Sequence, residues 1–479
     1  MGVTRREFLK RTALATAGTM AAPGLFGNPL VRKACADTIG DRYLVIFFLD
    51  GGNDGLNTVI PINNAGGLRA AYEAARRTGG GGLRINEDQM AIPSVVPLAD
   101  PGTSETLGFH PAFASNKTGL SGIAGMYDAG NVAVVQGTGY PDYSLSHETS
   151  RIIWTTANPT GQAAIAGTGW AGRHLGLEYG PLDAYGVTID GSIAGELRTT
   201  DTSVLAIDRL SRFGFPLDNY DPADHAIYKN KFELLYQSAS TSDEALTALL
   251  GSAGESTLQS TESYPPLDGL YKTDRAVWEA AYSALGTRTA RDLSQIAKIM
   301  YGTATSQPGI NARFFQVHSG GYDTHADQGG ATGHHFEILE QVSDAIDLFF
   351  QDITDMGLGA KTTMVVWSEF GRRIPQNSNG TDHGSQAPMF VIGEPVNGGV
   401  YGNHPNIAES ALDSDENTPY SQDPSDPFRS TDFRDVQGGI LKHWANMPES
   451  QILSSVLPLD LLAPADKYWT VQNFDLGFL

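Results

Sequence analysis

Cysteine is nearly absent from this chain of 479 residues, which contains one, Cys35. A single thiol excludes a disulfide framework, a zinc ribbon and an iron–sulfur cluster. Basic residues are also scarce, because 32 Lys and Arg stand against 54 Asp and Glu, for a net charge of −22. So acidic a chain lacks the electrostatic footprint of a nucleic-acid-binding protein and is not expected to bind an anionic membrane surface. We therefore predict no nucleic-acid partner.

Other signatures of common protein classes are missing as well. The sequence has no internal repeat and no heptad pattern. The glycine run at 79–82 follows no predicted strand, so we predict a loop there and not a phosphate-binding turn. Hydrophobic residues make up 41% of the chain and charged residues 18%, which is typical of a globular protein.

The first 36 residues have the features of an export signal. Arg5 and Arg6 lie in a basic segment, an apolar stretch covers 13–30, and Ala-Cys-Ala at 34–36 fits a small-x-small cleavage site. The paired arginines resemble a twin-arginine signal. We therefore predict that 1–36 is a signal peptide, that the twin-arginine translocase is a partner, and that the protein is periplasmic or secreted. Proline and glycine interrupt the apolar stretch, so no stable membrane insertion is expected.

Runs that are apolar on both faces predict buried strands of an α/β sheet. They lie at 42–49, 131–136, 314–317 and 362–367. Apolar residues at helical spacing predict an amphipathic helix at 335–356, directly before the fourth strand. Because a helix followed by a buried strand is typical of α/β proteins, we predict one α/β domain over 37–479. Its sheet is expected to be mostly parallel, with helices on both faces.

The middle of the chain differs in composition. Residues 238–263 are rich in Ser, Thr and Ala and predict a helical hairpin or a mobile insertion, and 274–302 predict helices. Residues 395–435 are rich in Pro, Asp and Ser and predict loops. We expect an insertion or cap over about 195–300.

Polar side chains follow each predicted strand, at the sheet edge where α/β proteins bind ligands. They are Asp50 and Asp54; Ser144, Ser146 and His147; Asp323 and His325; and Glu369, Arg372, Arg373 and His383. Carboxylate oxygens and imidazole nitrogens suit a divalent metal ion such as Zn, Mn, Fe(II), Ca or Mg. Such an ion can polarise an ester and activate a hydroxyl nucleophile. The sequence therefore predicts a metal site.

Several of these side chains admit two interpretations. Ser146 precedes a predicted helix. It is either part of an anion site at the start of that helix or the N-cap of the helix. His147 either orients a reactive group or fills the core. Arg372 or Arg373 is predicted to clamp a phosphate or sulfate, or to pair with Glu369, because a buried carboxylate needs a partner.

A series of sequence blocks resembles a large bacterial family of twin-arginine-exported proteins of unknown function, distantly related to the alkaline phosphatase and sulfatase superfamily. The blocks are Phe48–Asn57, Ser144–His147, Gly169–Arg173, Gly320–His325, Ser368–Arg373, Gly380–Gly384, Gly398–Gly402 and Asp432–Arg434. This resemblance implies an alkaline phosphatase-like three-layer sandwich. It also implies an exported metal-dependent hydrolase that acts on small anionic esters of phosphate or sulfate.

The resemblance also implies roles for individual residues. Asp323, His325 and His383 match metal ligands, together with Asp54 or, as the alternative, Asp50. Ser146 matches the nucleophile, with Ser144 as the alternative. Glu369 is expected to lie near the metal. The implied ion is Zn, Mn, Ca or Mg.

Departures from the superfamily pattern leave a second interpretation open. Glu369 and Phe370 stand where the superfamily has Asp-His, so one imidazole ligand is missing and a full two-metal site is not expected. No cysteine lies in a sulfatase-type context, which excludes formylglycine chemistry. The alternative is a non-catalytic exported protein, for binding or surface assembly, on the same fold. A redox-cofactor protein is a third and weaker alternative, because a haem motif and a cysteine cluster are absent.

Overall fold

The computed structural model describes most of the chain. It describes 40–63, 67–95, 98–101, 105–141, 143–158, 167–179, 184–215, 222–405, 407, 426–427, 429–457 and 473–479. The predicted signal peptide lies outside the described residues, as does 408–425 within the predicted loop region.

The centre of the fold is a nine-stranded sheet, and two small two-stranded sheets accompany it. The strands are β1 Tyr43–Asp50, β2 Val59–Pro61, β3 Leu107–Phe109, β4 Val132–Gly139, β5 Ala184–Thr188, β6 Ser203–Ala206, β7 Phe314–Gly320, β8 Thr362–Ser368, β9 Gly371–Arg372, β10 His383–Gly384, β11 Gln386–Ile392, β12 Gly399–Tyr401 and β13 Thr431–Asp432. The order in the central sheet is β12-β4-β11-β8-β1-β7-β5-β6, with β13 beside β4. Among the described strands of the central sheet, β11 alone runs antiparallel to its neighbours; all the other pairs in this sheet are parallel. The predicted mixed, mostly parallel α/β sheet is confirmed.

β1 shows why an uninterrupted apolar run forms the middle of this sheet. Every side chain from Tyr43 to Leu49 is buried. Alternate side chains belong to two different hydrophobic clusters, with Val45 and Phe47 in one and Leu44 and Ile46 in the other. Both faces of the strand are therefore covered, which removes the polar alternation of a half-exposed strand.

Helices lie on both faces of the sheet. The described α-helices are α1 Gly55–Thr58, α2 Leu68–Ala75, α3 Gly122–Asp128, α4 His147–Thr156, α5 Trp170–Glu178, α6 Pro222–Ser240, α7 Ala245–Ser263, α8 Pro266–Asp274, α9 Ala276–Leu285, α10 Arg288–Ala304, α11 His334–Asp355, α12 Phe433–Gly439 and α13 Glu449–Gln451. Apolar residues of α3, α10 and α11 pack on one face, and those of α4, α5 and α12 on the other. None of the described helices has the length and apolarity that a membrane crossing requires.

The helices between β6 and β7 form the middle of the chain. α6 and α7 pack against each other, and Pro266 begins the next helix. The predicted insertion, about 195–300, includes one strand of the central sheet, β6, and most of a core helix, α10.

Strand direction gathers several loops at one edge of the sheet. The parallel strands β1, β4, β7 and β8 all end at this edge. Because β11 is reversed, it begins there, and β10 precedes it directly in the chain. The loops that follow β1, β4, β7 and β8 therefore meet the segment that carries His383.

Candidate metal centre

Asp323 lies in the middle of three histidines at this edge of the sheet. Its Oδ1 atom is 2.9 Å from Nε2 of His383 and 3.1 Å from Nε2 of His325. Its Oδ2 atom is 3.5 Å from Nε2 of His147. The Nε2 atoms of His325 and His383 are 3.0 Å apart. We call these four residues the Asp323 cluster.

Three separate segments build the Asp323 cluster. His147 is the first residue of α4, Asp323 and His325 lie in the loop after β7, and His383 lies in β10. The exposed fractions of the side chains are 48% for Asp323, 46% for His325, 35% for His147 and 15% for His383. The cluster is therefore accessible from solvent, as a site for a small ligand must be.

Each imidazole of the cluster is held through its other ring nitrogen, Nδ1. The pairs are His147 Nδ1 to Glu369 Oε1 at 2.9 Å, His325 Nδ1 to Asp382 Oδ1 at 3.2 Å, and His383 Nδ1 to the Leu145 carbonyl at 2.8 Å. Carboxylate and carbonyl oxygens only accept, so each Nδ1 carries the hydrogen. In a neutral imidazole, the lone pair is then on Nε2. With neutral imidazoles, the cluster therefore brings Nε2 lone pairs and the Asp323 carboxylate together.

The charge of Asp323 is well stabilised. Burial acts to raise its pKa, but the hydrogen bond from Arg372, the polar contact with His383 and the charge of Arg372 outweigh burial and hold the pKa well below its usual range. The hydrogen bond to Glu369 raises the pKa of His147, whereas burial lowers the pKa of His383. Asp323 is therefore a carboxylate at neutral pH, as a metal ligand must be.

Glu369 lies behind His147. Its side chain is fully buried, and Oε1 accepts hydrogen bonds from His147 Nδ1 and, at 3.0 Å, from the Gly51 amide. The sequence predicts Glu369 as a metal ligand or as a partner of Arg372 or Arg373. In the structure, Glu369 is hydrogen-bonded to His147 and Arg372 pairs with Asp323, which corrects the predicted pairing of Glu369 with Arg372.

Arg372 is buried and turned towards the protein. Its guanidinium donates to the carbonyls of Gly51, Gly52, Tyr322 and Thr381 and to Asp323 Oδ1. These bonds join the loops after β1 and β7 to the segment before β10. The predicted clamping of an anion by Arg372 would require them to break.

The two acidic residues predicted from the end of β1 have other partners. Asp54 is fully buried, its oxygens lie 2.5 and 3.0 Å from the guanidinium of Arg76, and Gln328 donates to it. Burial acts to raise the pKa of Asp54, but Arg76 and Gln328 outweigh burial and lower it. Asp50 pairs with Arg151 at the surface. Neither carboxylate belongs to the Asp323 cluster.

Ser146 is the N-cap of α4. Its Oγ atom accepts from the Thr149 amide at 3.5 Å, and the residue is exposed. Ser144 Oγ accepts from the Ser146 amide at 3.2 Å. Ser146 lies between two residues of the site in the sequence. Leu145 precedes it and contacts His383 through its carbonyl, and His147 follows it. Its capping role does not exclude a role as nucleophile.

Phe370 supports the imidazoles from within the protein. Its ring centroid is 4.3 Å from that of His383 and 4.9 Å from that of His147, and the residue is 1% exposed. Gly52, with φ +88°, faces this ring so closely that a Cβ atom would lie 2.5 Å from it. Phe370 thus packs against two imidazoles of the Asp323 cluster.

The structure brings together three of the predicted ligands, Asp323, His325 and His383, with His147. Sequence reasoning missed Asp382 and the Leu145 carbonyl. Asp382 directly precedes His383 in the chain, and this adjacency was an available signal, but a backbone carbonyl leaves no trace in a sequence.

Comparison with known proteins identifies one region. Residues 276–419 match the family described as "Protein of unknown function (DUF1501)". This region includes Asp323, His325, Glu369 and His383, whereas His147 precedes it. No curated protein and no solved structure matches this chain.

Proposed function

We propose that the Asp323 cluster binds a divalent metal ion and that the protein is an exported metal-dependent hydrolase of phosphate or sulfate esters. One observation carries the proposal. The Nε2 atoms of His325 and His383 approach Asp323 Oδ1 at 3.1 and 2.9 Å, while the Nδ1 atom of each imidazole faces an oxygen acceptor of its own. A cation among these atoms replaces the repulsion between lone pairs with attraction.

The donor set fits a metal ion. His147, Asp323 and His383 each offer one ligand atom, and these atoms all lie within 4.8 Å of one another. His325 adds a further nitrogen beside Asp323. Imidazole nitrogens favour zinc or iron(II), a carboxylate suits manganese, and calcium and magnesium are bound mainly by oxygen ligands. Of the ions implied by the sequence, we therefore favour zinc or manganese.

The chemistry of hydrolysis needs an electrophile, a nucleophile and a site for the anion. A divalent ion in this site supplies the Lewis acid that polarises the ester. The positive end of the α4 peptide dipoles at its N-terminus favours the negative charge of a phosphate or sulfate. Ser146 at this N-terminus is our proposed nucleophile. Its Oγ would bond to phosphorus or sulfur as the alcohol leaves with a proton, and water would then release the product from Ser146.

The distant relation to the alkaline phosphatase superfamily belongs to this proposal. Its support is the position of the Asp323 cluster at the carboxyl edge of a mostly parallel sheet that has helices on both faces. We also propose export by the twin-arginine translocase to the periplasm or beyond. The sequence of 1–36 supports it, as does the absence of cysteine from the rest of the chain.

An assay with chosen variants tests the hydrolase. Protein freed of metal with chelator is loaded with Zn, Mn, Mg or Ca and assayed with aryl phosphates and aryl sulfates. We expect hydrolysis that depends on zinc or manganese and that falls at least 1000-fold in Asp323→Asn. Asp327→Asn is the matched control, because Asp327 lies in the same loop outside the cluster.

Two outcomes would contradict the proposal. Equal loss in both variants would show a general effect on the loop. A loaded wild-type protein that hydrolyses none of the esters would favour the non-catalytic binding protein.

A further inference from the structure

We infer that Glu369 and Asp382 are positioning residues of the metal centre and not metal ligands. Each holds Nδ1 of one histidine and so presents its Nε2 atom to the ion. The inference rests on the proposed metal site and describes how this chain builds it.

Both oxygens of Glu369 have partners inside the protein. Oε1 accepts from His147 Nδ1 and from the Gly51 amide, and Oε2 lies 3.2 Å from the same amide. The residue is fully buried, whereas the ligand atoms of the cluster are partly exposed. Reaching the ion would break these bonds inside the protein. Glu369 therefore acts through His147.

Glu369 also fixes the helix that carries His147. Its backbone carbonyl accepts a hydrogen bond from Ser150 Oγ, one turn into α4. Its neighbour Ser368 is anchored to β1, because Ser368 Oγ donates to the Leu49 carbonyl at 2.7 Å. The orientation of His147 is thus set by the ends of β8 and β1.

Asp382 plays the same part for His325 in a more exposed position. Its side chain is 54% exposed, and Oδ1 accepts from His325 Nδ1 at 3.2 Å and from Asn377 at 3.3 Å. Solvent competes with hydrogen bonds at such a site. We therefore expect Asp382 to matter less than Glu369.

The physical consequence separates a positioning residue from a ligand. Loss of the acceptor lets the imidazole rotate or change tautomer, and such losses typically weaken metal binding by 10–100-fold. The number and type of ligand atoms stay the same. Loss of a ligand changes the coordination of the ion itself.

Cobalt(II) absorption and zinc affinity together test this difference. Cobalt(II) and zinc are titrated into metal-free wild type, Glu369→Gln, Asp382→Asn and His383→Ala, with circular dichroism as the check on folding. We expect zinc affinity to fall about 10–100-fold in Glu369→Gln and less in Asp382→Asn. The cobalt(II) visible bands should keep their positions and intensities in both variants and change in His383→Ala.

The contrary results are distinct. A Glu369→Gln spectrum altered as in His383→Ala would make Glu369 a ligand, and unchanged zinc affinity in both carboxylate variants would remove their positioning role. Wild-type protein that binds neither ion would overturn this inference and the proposed function together. The expected spectra and affinities without ester hydrolysis would uphold the inference and overturn the hydrolase alone.

Discussion

Asp54 and Asp323 both follow strands at the same edge of the sheet, yet their carboxylates meet different surroundings. Arg76 contacts both oxygens of Asp54, and Gln328 contacts one of them as well. Arg372 contacts only Oδ1 of Asp323, which leaves Oδ2 to face His147. One aspartate is thereby used for the fold, and the other remains available as a ligand.

We predict that Asp54→Asn destabilises the protein by about 3–5 kcal/mol at pH 7, because it leaves the buried charge of Arg76 unpaired. Asp50→Asn, at an exposed ion pair, should cost about 1 kcal/mol or less. The folded-state pKa of Asp54 is lowered, so its stabilisation is present above the unfolded value of about 3.9 and is lost as pH falls through the folded value. Urea unfolding at pH 7 and pH 3 measures both effects. Loss of bound metal without loss of stability would instead identify Asp54 as a ligand.

The buried residue His174 predicts that the folded protein becomes less stable as the pH falls. His174 is fully buried, neither ring nitrogen has a hydrogen-bond partner among the described residues, and burial lowers its pKa to about 3. Between about pH 6.5 and pH 3 the unfolded chain binds more protons at this position than the folded protein does. Stability should therefore fall as pH falls through this window, by up to about 1.4 kcal/mol per pH unit from this group.

The variant His174→Leu should remove that part of the slope, as measured by urea unfolding from pH 7 to pH 4. The surface variant His443→Gln serves as the control and should leave the slope nearly unchanged. An equal slope in wild type and His174→Leu would contradict the burial of a neutral imidazole.

Helix α4 joins the fold to the site. It spans His147–Thr156, as the sequence predicts, and begins with the N-cap Ser146 directly before a cluster residue. A polar N-cap, an acidic first turn and buried apolar residues further along make this helix recognisable from sequence alone.

Ser146 variants separate capping from catalysis. Ser146→Ala should cost about 1 kcal/mol of stability, and Ser146→Asp should restore it, because aspartate is an equally good N-cap. Both variants should lose ester hydrolysis if Ser146 is the nucleophile. Hydrolysis that follows stability, lost in Ser146→Ala and regained in Ser146→Asp, would leave Ser146 as a cap only.

Strand β11 shows where sequence patterns fail. All of its residues from Gln386 to Ile392 are buried, yet Pro388 in the middle argues against a central strand. The structure accommodates the proline at an irregularity, where the pairing with β4 shifts between Ala387 and Met389. A long-range pairing decides this conformation, so the local sequence could not predict it. The local sequence does not predict the reversed direction of β11 either, although this direction places the preceding residue His383 at the site.

At the scale of the whole molecule, the sequence predicts the strands and helices better than it predicts the contacts of the site. The strand Tyr43–Asp50 and the helix His334–Asp355 lie close to their predicted positions. A strand that is buried on both faces leaves a continuous apolar run in the sequence, and a helix that is buried on one face leaves apolar residues at helical spacing. The meeting of Asp323, His325 and His383 follows from loops at one sheet edge. The contacts of Arg372 and Glu369 do not, since they depend on side-chain directions across distant segments.

The proposed export concerns the full chain and is tested in cells. We predict that Arg5→Lys with Arg6→Lys keeps the protein in the cytoplasm of a producing bacterium, because the paired arginines are the recognition feature of the proposed signal. Lys10→Arg serves as the control and should leave export unchanged. Fractionation with detection of the mature protein measures the outcome, and equal export of the double variant would contradict the twin-arginine route.

Elemental analysis of protein purified without chelator is the measurement that we would make first. The wild type and Asp327→Asn should carry a stoichiometric transition-metal ion, most often zinc or manganese. Asp323→Ala and His383→Ala should both lose it while remaining folded, because the two loops contribute to one site. A folded wild type that remains free of metal after incubation with zinc and manganese would contradict a metal centre at the Asp323 cluster.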